Sequence, residues 1–128
     1  MLALRGFQGA GISSLAKLSH LRRLQLSHCG NLMELPESLG NLSLLEELCL
    51  DNCDKLKQLP AGFGKLKALV SLNLYHCISL QEIPMDFVNL SSLHYLSLYY
   101  RRSFESFLVI LRNLLHCSIS ICVVSMSW

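Results

Sequence analysis

Charged residues are scarce in this chain of 128 residues, at 16% against the roughly 25% that is usual for soluble domains. The net charge is +2, which is too small to favour nucleic acid or an anionic membrane as a partner. Hydrophobic residues make up 52% of the chain, enough for a core within one domain of ordinary length. We therefore expect a globular protein with no nucleic-acid partner.

Two sequence features of other protein classes are also missing. Residues 1–17 contain no apolar run long enough for the core of a signal peptide. No phosphate-binding loop of the form GxxxxGKS or GxxxxGKT occurs, because the glycines of Gly62-Phe63-Gly64-Lys65 stand too close together. These absences argue against a secreted protein and against nucleotide binding by this chain.

A repeat of 24 residues runs through the sequence without insertions, with the consensus LxxLxLxxCxxLxxLPxxLxxLxx. Internal repeats of this length are typical of solenoid proteins. Equivalent positions carry the same residue type from one repeat to the next: Leu24, Leu48, Leu72 and Leu96; Leu26, Leu50, Leu74 and Leu98; Cys29, Cys53 and Cys77; Pro36, Pro60 and Pro84.

Each repeat predicts one strand and one helical turn. The LxL core, such as Leu72-Asn73-Leu74, alternates apolar and polar residues as a half-buried strand does. The proline and the apolar residues that follow it suit a turn of α or 3₁₀ helix with proline at its first position. One such unit cannot bury its apolar side, but stacked units can. The predicted α/β fold is a curved solenoid with a parallel β-sheet on its concave face and short helical or 3₁₀ turns on its convex face.

The segment LPESLGNLSLLEELCLDNCDKLKQLPAGFGKL resembles the leucine-rich repeats of plant intracellular nucleotide-binding immune receptors. The cysteine column and the LPxxLGxL phrase carry this resemblance, which covers residues 12–101. The chain is also similar to the intracellular Ras-associated scaffold repeats, which usually carry asparagine in the cysteine column. It lacks the LxGxIP phrase of plant extracellular receptor repeats.

The resemblance implies a leucine-rich-repeat solenoid that recognises proteins in the cytoplasm and takes part in plant disease resistance and signal transduction. Its partner would be a pathogen effector or other domains of the same receptor. A signalling scaffold of the Ras-associated type and a truncated fragment without independent function are the alternatives. None of these interpretations involves an enzyme, a cofactor or a membrane.

The outward positions of the strands form the candidate partner-binding surface. They vary between repeats while the leucines beside them do not, as a recognition surface on a constant scaffold would. Tyrosine, a common anchor of protein interfaces, gathers toward the C-terminal end of this surface. The candidate residues are Arg23, Gln25, His28, Glu47, Asp51, Asn52, Asn73, Tyr75, His76, Tyr95, Tyr99 and Tyr100.

The cysteines and histidines favour structural roles over metal binding. Cys29, Cys53 and Cys77 fall where the chain turns out of the strand, and a buried S–H there could bond turn carbonyls. His28 and His76 share a column but lie two repeats apart, about 10 Å. Zinc ligands each lie about 2 Å from one ion, so we expect no metal site.

Both ends depart from the repeat. We place the repeat domain at residues 1–122, with clear repeats over 21–101 and an apolar tail at 123–128. Leu2 either falls on the 24-residue phase or belongs, with Ala3 and Leu4, to a repeat shortened by two residues. The apolar segment 107–128 is a degenerate last repeat, a misread gene end, a membrane-spanning helix interrupted by Arg112, or a helix buried by an absent neighbour.

Overall fold

The computed structural model describes residues 1–3, 12–80, 83–100 and 120–126. Within them the chain forms one parallel sheet of six strands whose spatial order equals their order in the sequence. The strands are β1 (Leu2–Ala3), β2 (Arg23–Gln25), β3 (Glu47–Cys49), β4 (Ser71–Leu74), β5 (Tyr95–Tyr100) and β6 (Ser120–Met126).

The register of the sheet follows the predicted repeat. Leu24 pairs with Leu48, Leu48 with Leu72, and Leu72 with Leu96. Each step is 24 residues, so equivalent leucines stack in columns along the sheet. The prediction of a leucine-rich-repeat solenoid is confirmed.

Short 3₁₀ helices return the chain between strands on the convex side. They are η1 (Ile12–Lys17), η2 (Glu37–Asn41), η3 (Ala61–Lys65) and η4 (Met85–Asn89). The prediction that proline occupies the first helical position is wrong by one residue. Pro36, Pro60 and Pro84 are the N-caps, with non-helical ψ angles of 147°, 151° and 142°. Each proline carbonyl accepts the first helical bond, from Leu39, Phe63 and Phe87 respectively, which is the role of an N-cap carbonyl.

The core is a single apolar cluster between the sheet and the 3₁₀ helices. The leucine columns fill it, and Phe63 and Phe87 stack at 5.1 Å between ring centroids. Both rings are fully buried. Each repeat covers the apolar side of its neighbour, which explains why the unit has to be stacked to be stable.

The N-terminal strand distinguishes the two interpretations of Leu2. Leu2 pairs with Leu24 and Ala3 with Gln25, an offset of 22 residues in place of 24. The first repeat is therefore two residues shorter than the 24-residue repeats that follow it, and the interpretation that places Leu2 on the 24-residue phase is wrong.

The C-terminal strand leaves the 24-residue phase. Tyr95 pairs with Ser120 and Leu96 with Ile121, an offset of 25, and a register irregularity follows between Leu98 and Tyr99. The 24-residue period predicts that Cys122 takes the column of Leu98, and this prediction is wrong, because Val123 pairs with Leu98 and Cys122 with Ser97.

Strand β6 also bears on the interpretation of segment 107–128. A helix over the whole segment is wrong for residues 120–126, which are a strand. Among the described residues, no helix is both long and apolar enough to cross a bilayer. The strand continues across the predicted domain boundary at residue 122, and the division into domain and tail stays a prediction. The part of the segment before Ser120 lies outside the described residues.

Candidate partner-binding face

The outward side chains of β2 to β5 and of the turns after β2, β3 and β4 form one continuous surface, which we call the concave face. Parallel pairing brings the predicted residues of neighbouring repeats side by side about 4.8 Å apart. Arg23, Glu47, Ser71 and Tyr95 share one row. Gln25, Cys49, Asn73 and Ser97 share the next.

A hydrogen-bond network holds one carboxylate of this face in place. The hydroxyl of Ser27 donates to Asp51 Oδ1 at 2.5 Å, and the thiol of Cys49 donates to the same oxygen at 2.8 Å. Asn52 Nδ2 donates to Asp51 Oδ2 at 3.3 Å. Neither Ser27 nor Cys49 was among the predicted binding residues, although both occupy outward positions of the repeat.

These bonds set the protonation of the network. Burial alone would raise the pKa of Asp51, but the hydrogen bonds from Cys49, Ser27 and Asn52 outweigh it and lower the pKa. Burial, reinforced by the hydrogen bond to Asp51, raises the pKa of Cys49. At neutral pH the carboxylate is ionised and the thiol is protonated, so Cys49 is not activated as a nucleophile.

The column of His28, Asn52 and His76 turns the chain away from the sheet. All three residues have left-handed backbone conformation, with φ of 56°, 59° and 58°. Histidine and asparagine are among the few residue types enriched there. The amides of His28 and Asn52 donate to the carbonyls of Asp51 and Tyr75 in the following repeat. These residues therefore lie at the edge of the concave face, in the turn.

Ion pairs join the two repeats at the N-terminal part of the face. Arg22 contacts Glu46 at 2.7 Å, and Arg23 contacts Glu47 at 3.6 Å. The side chains of the second pair are 58% and 53% exposed, so this pair contributes little stability. It does cancel the charge of Arg23 against that of Glu47.

Exposed aromatic rings occupy the other end of the face. Tyr75 is 39% and Tyr95 42% exposed, large fractions for residues of this type. The Tyr75 amide donates to Asn73 Oδ1 at 2.9 Å, which fixes the turn that carries the ring. Tyr99 and Tyr100 lie on β5, but their side chains fall outside the described part of the structure.

The cysteine column lies behind this face, in the core. Cys53 Sγ donates to the carbonyl of Leu26 and Cys77 Sγ to that of Leu50, each at 3.0 Å. Burial raises the pKa of both thiols to about 12. The expected bonding of turn carbonyls by these thiols is confirmed for Cys53 and Cys77.

Within the ranges the structure describes, no group of three or more His, Cys, Asp or Glu side chains could hold a metal ion. Ser27, Cys49 and Asp51 lack the arrangement of a catalytic triad, because the hydroxyl and the thiol both donate directly to the carboxylate and no histidine lies between them and Asp51. The arrangement is suited to presenting side chains to a partner.

Comparison with known proteins identifies the family. Residues 1–119 match the pattern of a leucine-rich repeat region, and the chain belongs to this family. No curated protein is similar enough in sequence to count as a relative. The family is typically a protein-binding fold without enzymatic activity.

Two solved structures are similar to the chain. The leucine-rich-repeat protein LIC12759 of Leptospira interrogans matches with a TM-score of 0.72 and 30% identity over 87% of this chain and 27% of that one. The plant peptide hormone receptor RGFR1, in complex with RGF2, matches at 17% identity over 88% of this chain and 30% of that one. Its TM-score of 0.26 is too low to carry an argument. With coverages of 27% and 30%, this chain spans less than a third of the length of either protein.

Proposed function

We propose that this chain is a non-catalytic recognition module whose concave face binds a protein partner. The observation that carries the proposal is the contrast between the two sides of the sheet. Leu24, Leu48, Leu72 and Leu96 are identical and buried, whereas the row beside them reads Arg23, Glu47, Ser71 and Tyr95. A constant scaffold with a variable face is what selective recognition requires.

The finer proposal is an intracellular receptor of the plant disease-resistance type. The LPxxLGxL phrase supports it. So does the cysteine column, since cysteine fills the turn position of three repeats where Ras-associated scaffolds usually have asparagine. Buried, protonated thiols also suit a reducing cytoplasm. The partner would then be a pathogen effector or another domain of the same receptor.

The concave face can be tested by selecting a displayed library of random short peptides on the purified chain. Dissociation constants of the recovered peptides are then measured on variants. We expect Tyr75→Ala and Tyr95→Ala each to weaken binding roughly tenfold, because exposed tyrosines are frequent interface anchors. Met33→Ala is the matched control, since this exposed apolar side chain lies off the concave face. Peptides that respond to Met33 and not to the tyrosines would contradict the proposal.

The receptor proposal is tested by the full-length transcript. We expect the reading frame to encode a nucleotide-binding domain upstream of these repeats. Repeats bounded by polar capping segments, with no such domain, would favour the Ras-associated scaffold instead.

A further inference from the structure

The concave face carries a carboxylate, that of Asp51, which forms no ion pair with a lysine or arginine among the described residues. Its described carboxylates include Glu46, Glu47, Asp51 and Asp54, of which Glu46 is paired with Arg22. Arg23 is paired with Glu47. Asp51 is bonded to neutral donors, and His28 Nε2, at 4.0 Å from Asp51 Oδ2, is a cation only when protonated. Within the described part of the face, Asp51 is therefore a carboxylate whose partners are not permanently cationic.

The carboxylate of Asp51 is largely withdrawn from water and held in position. Its side chain is 21% exposed, and Oδ1 accepts from both Ser27 and Cys49. Oδ2 has only the longer bond from Asn52, at 3.3 Å. The ionised Oδ2 therefore keeps acceptor capacity, and a charged donor from a partner can use it.

The repeat that follows Asp51 carries an exposed tyrosine in the same column of the sheet. Tyr75 occupies the equivalent position one repeat later, and its carbonyl accepts the amide of Asn52 at 2.8 Å. The two turns are therefore joined directly. A guanidinium group can bond a carboxylate and lie on an aromatic ring at the same time, whereas an ammonium group is a compact point charge.

We propose that the concave face recognises a protein partner through an exposed arginine, whose guanidinium bonds Asp51 Oδ2 and stacks on the ring of Tyr75. The proposal rests on the proposed function and adds the chemistry of the partner. Charge complementarity selects this occupant. An acidic segment or a nucleic-acid phosphate would be repelled by Asp51, and an apolar segment would bury it without a counter-ion.

The test uses the peptides selected on the purified chain. We expect those that bind the concave face to be rich in arginine. Replacing the contacting arginine by citrulline, its neutral isostere, should weaken binding roughly ten- to hundredfold, because a charged hydrogen bond is replaced by a neutral one. This change leaves the protein intact, so the result does not depend on the folding of a variant.

Protein variants locate the contact. Asp51→Asn should weaken binding of the arginine peptide as much as the citrulline replacement does. In this variant the arginine and citrulline peptides should bind with the same dissociation constant. Asp54→Asn is the matched control, since it removes the same charge from the same turn at an exposed carboxylate that contacts His76. An equal loss of affinity in both variants would show that the effect comes from the overall charge of the turn and not from a contact with Asp51, and it would overturn the proposal.

The remaining outcomes separate the two proposals. Peptides that depend on Tyr75 and Tyr95 but carry no arginine, or that tolerate citrulline, overturn the arginine proposal and leave the proposed function standing. If no selected peptide depends on the concave face, both fail.

Discussion

Hydrogen bonds from single buried thiol groups join successive repeats inside this molecule. Cys53 and Cys77 are completely buried or nearly so, at 0% and 1% exposure. Each donates to a carbonyl of the preceding repeat. A sulfhydryl is a weak donor, but here it satisfies a buried carbonyl at the point where the chain leaves the sheet. Cysteine therefore serves as a small core residue with one polar function.

The thiols predict a loss of stability at alkaline pH. Their pKa is about 12 in the folded chain, against 9.0 for a free thiol. The raised pKa means that their contribution is fully present below pH 9 and is lost between pH 9 and 12, as unfolding comes to release a proton. Each thiol then lowers the free energy of unfolding by up to about 1.4 kcal/mol per pH unit.

Urea denaturation across this pH range measures the effect. The double variant Cys53→Ala, Cys77→Ala serves as the control, because it keeps every tyrosine and lysine that also titrates there. It should be less stable at neutral pH and less sensitive to alkali. Equal pH dependence in both proteins would show that the thiols do not control it.

The repeat predicts which residues stack in columns, but it does not predict the hydrogen bonds within the concave face. The leucine period predicted the pairing of Leu48 with Leu72. The network around Asp51 depends on side-chain rotamers, which no periodicity encodes. One signal was present: the column of His28, Asn52 and His76 contains only residue types that tolerate positive φ, which indicates a left-handed turn.

At the level of elements, close approach between 3₁₀ helices decides which glycines are essential. A Cβ on Gly64 would lie 2.6 Å from the carbonyl oxygen of Asp86, and one on Gly40 would lie 2.5 Å from that of Gly62. The Gly64 amide also donates to Asp86 Oδ2 at 2.9 Å. These helices pack backbone against backbone, so the missing side chain is a requirement of the stacking.

Two alanine substitutions in η3 test this requirement. Gly64→Ala should lower the free energy of unfolding by about 1–3 kcal/mol, since backbone has to move apart. Gly62→Ala, two residues away in the same helix, should change it by less than about 0.5 kcal/mol, because its Cβ would meet nothing nearer than 3.5 Å. Urea melts of both variants measure the difference, and equal losses would contradict the packing argument.

The elements at the ends explain where prediction from the period failed. A strict 24-residue phase would set Ser120 opposite Leu96, whereas the sheet sets Ile121 there. The register at this end therefore departs from the repeat count by one residue, which the period alone does not predict. Strand β5 also runs on to Tyr100, where the earlier repeats turn at His28, Asn52 and His76.

For the whole molecule, stability is shared between neighbouring repeats. In the described sheet β2 to β5 each pair with two strands, whereas β1 and β6 each pair with one. A stack of this kind loses its end units first, because each repeat contacts only its neighbours. The overall fold was predictable from the sequence because every repeat makes the same contacts with its neighbours, so the same residue pattern recurs along the chain.

Hydrogen exchange followed by mass spectrometry tests the graded stability. We expect the slowest exchange for amides of Glu47–Cys49 and Ser71–Leu74 and faster exchange for Leu2–Ala3 and Ser120–Met126. The variant Leu72→Ala removes a fully buried side chain and should cost about 2–5 kcal/mol, accelerating exchange in β3 and β4 together. Uniform protection along the chain would instead indicate one all-or-none unit.

The backward direction of the thiol bonds has a consequence for biosynthesis. The carbonyl acceptors of Cys53 and Cys77 both lie 27 residues earlier in the chain. During translation the earlier residues leave the ribosome first, and folding tends to start from the N-terminal side. When Cys53 or Cys77 leaves the ribosome, the repeat that carries its carbonyl acceptor has therefore already been synthesised. Synthesis and stacking of the repeats thus proceed in the same direction.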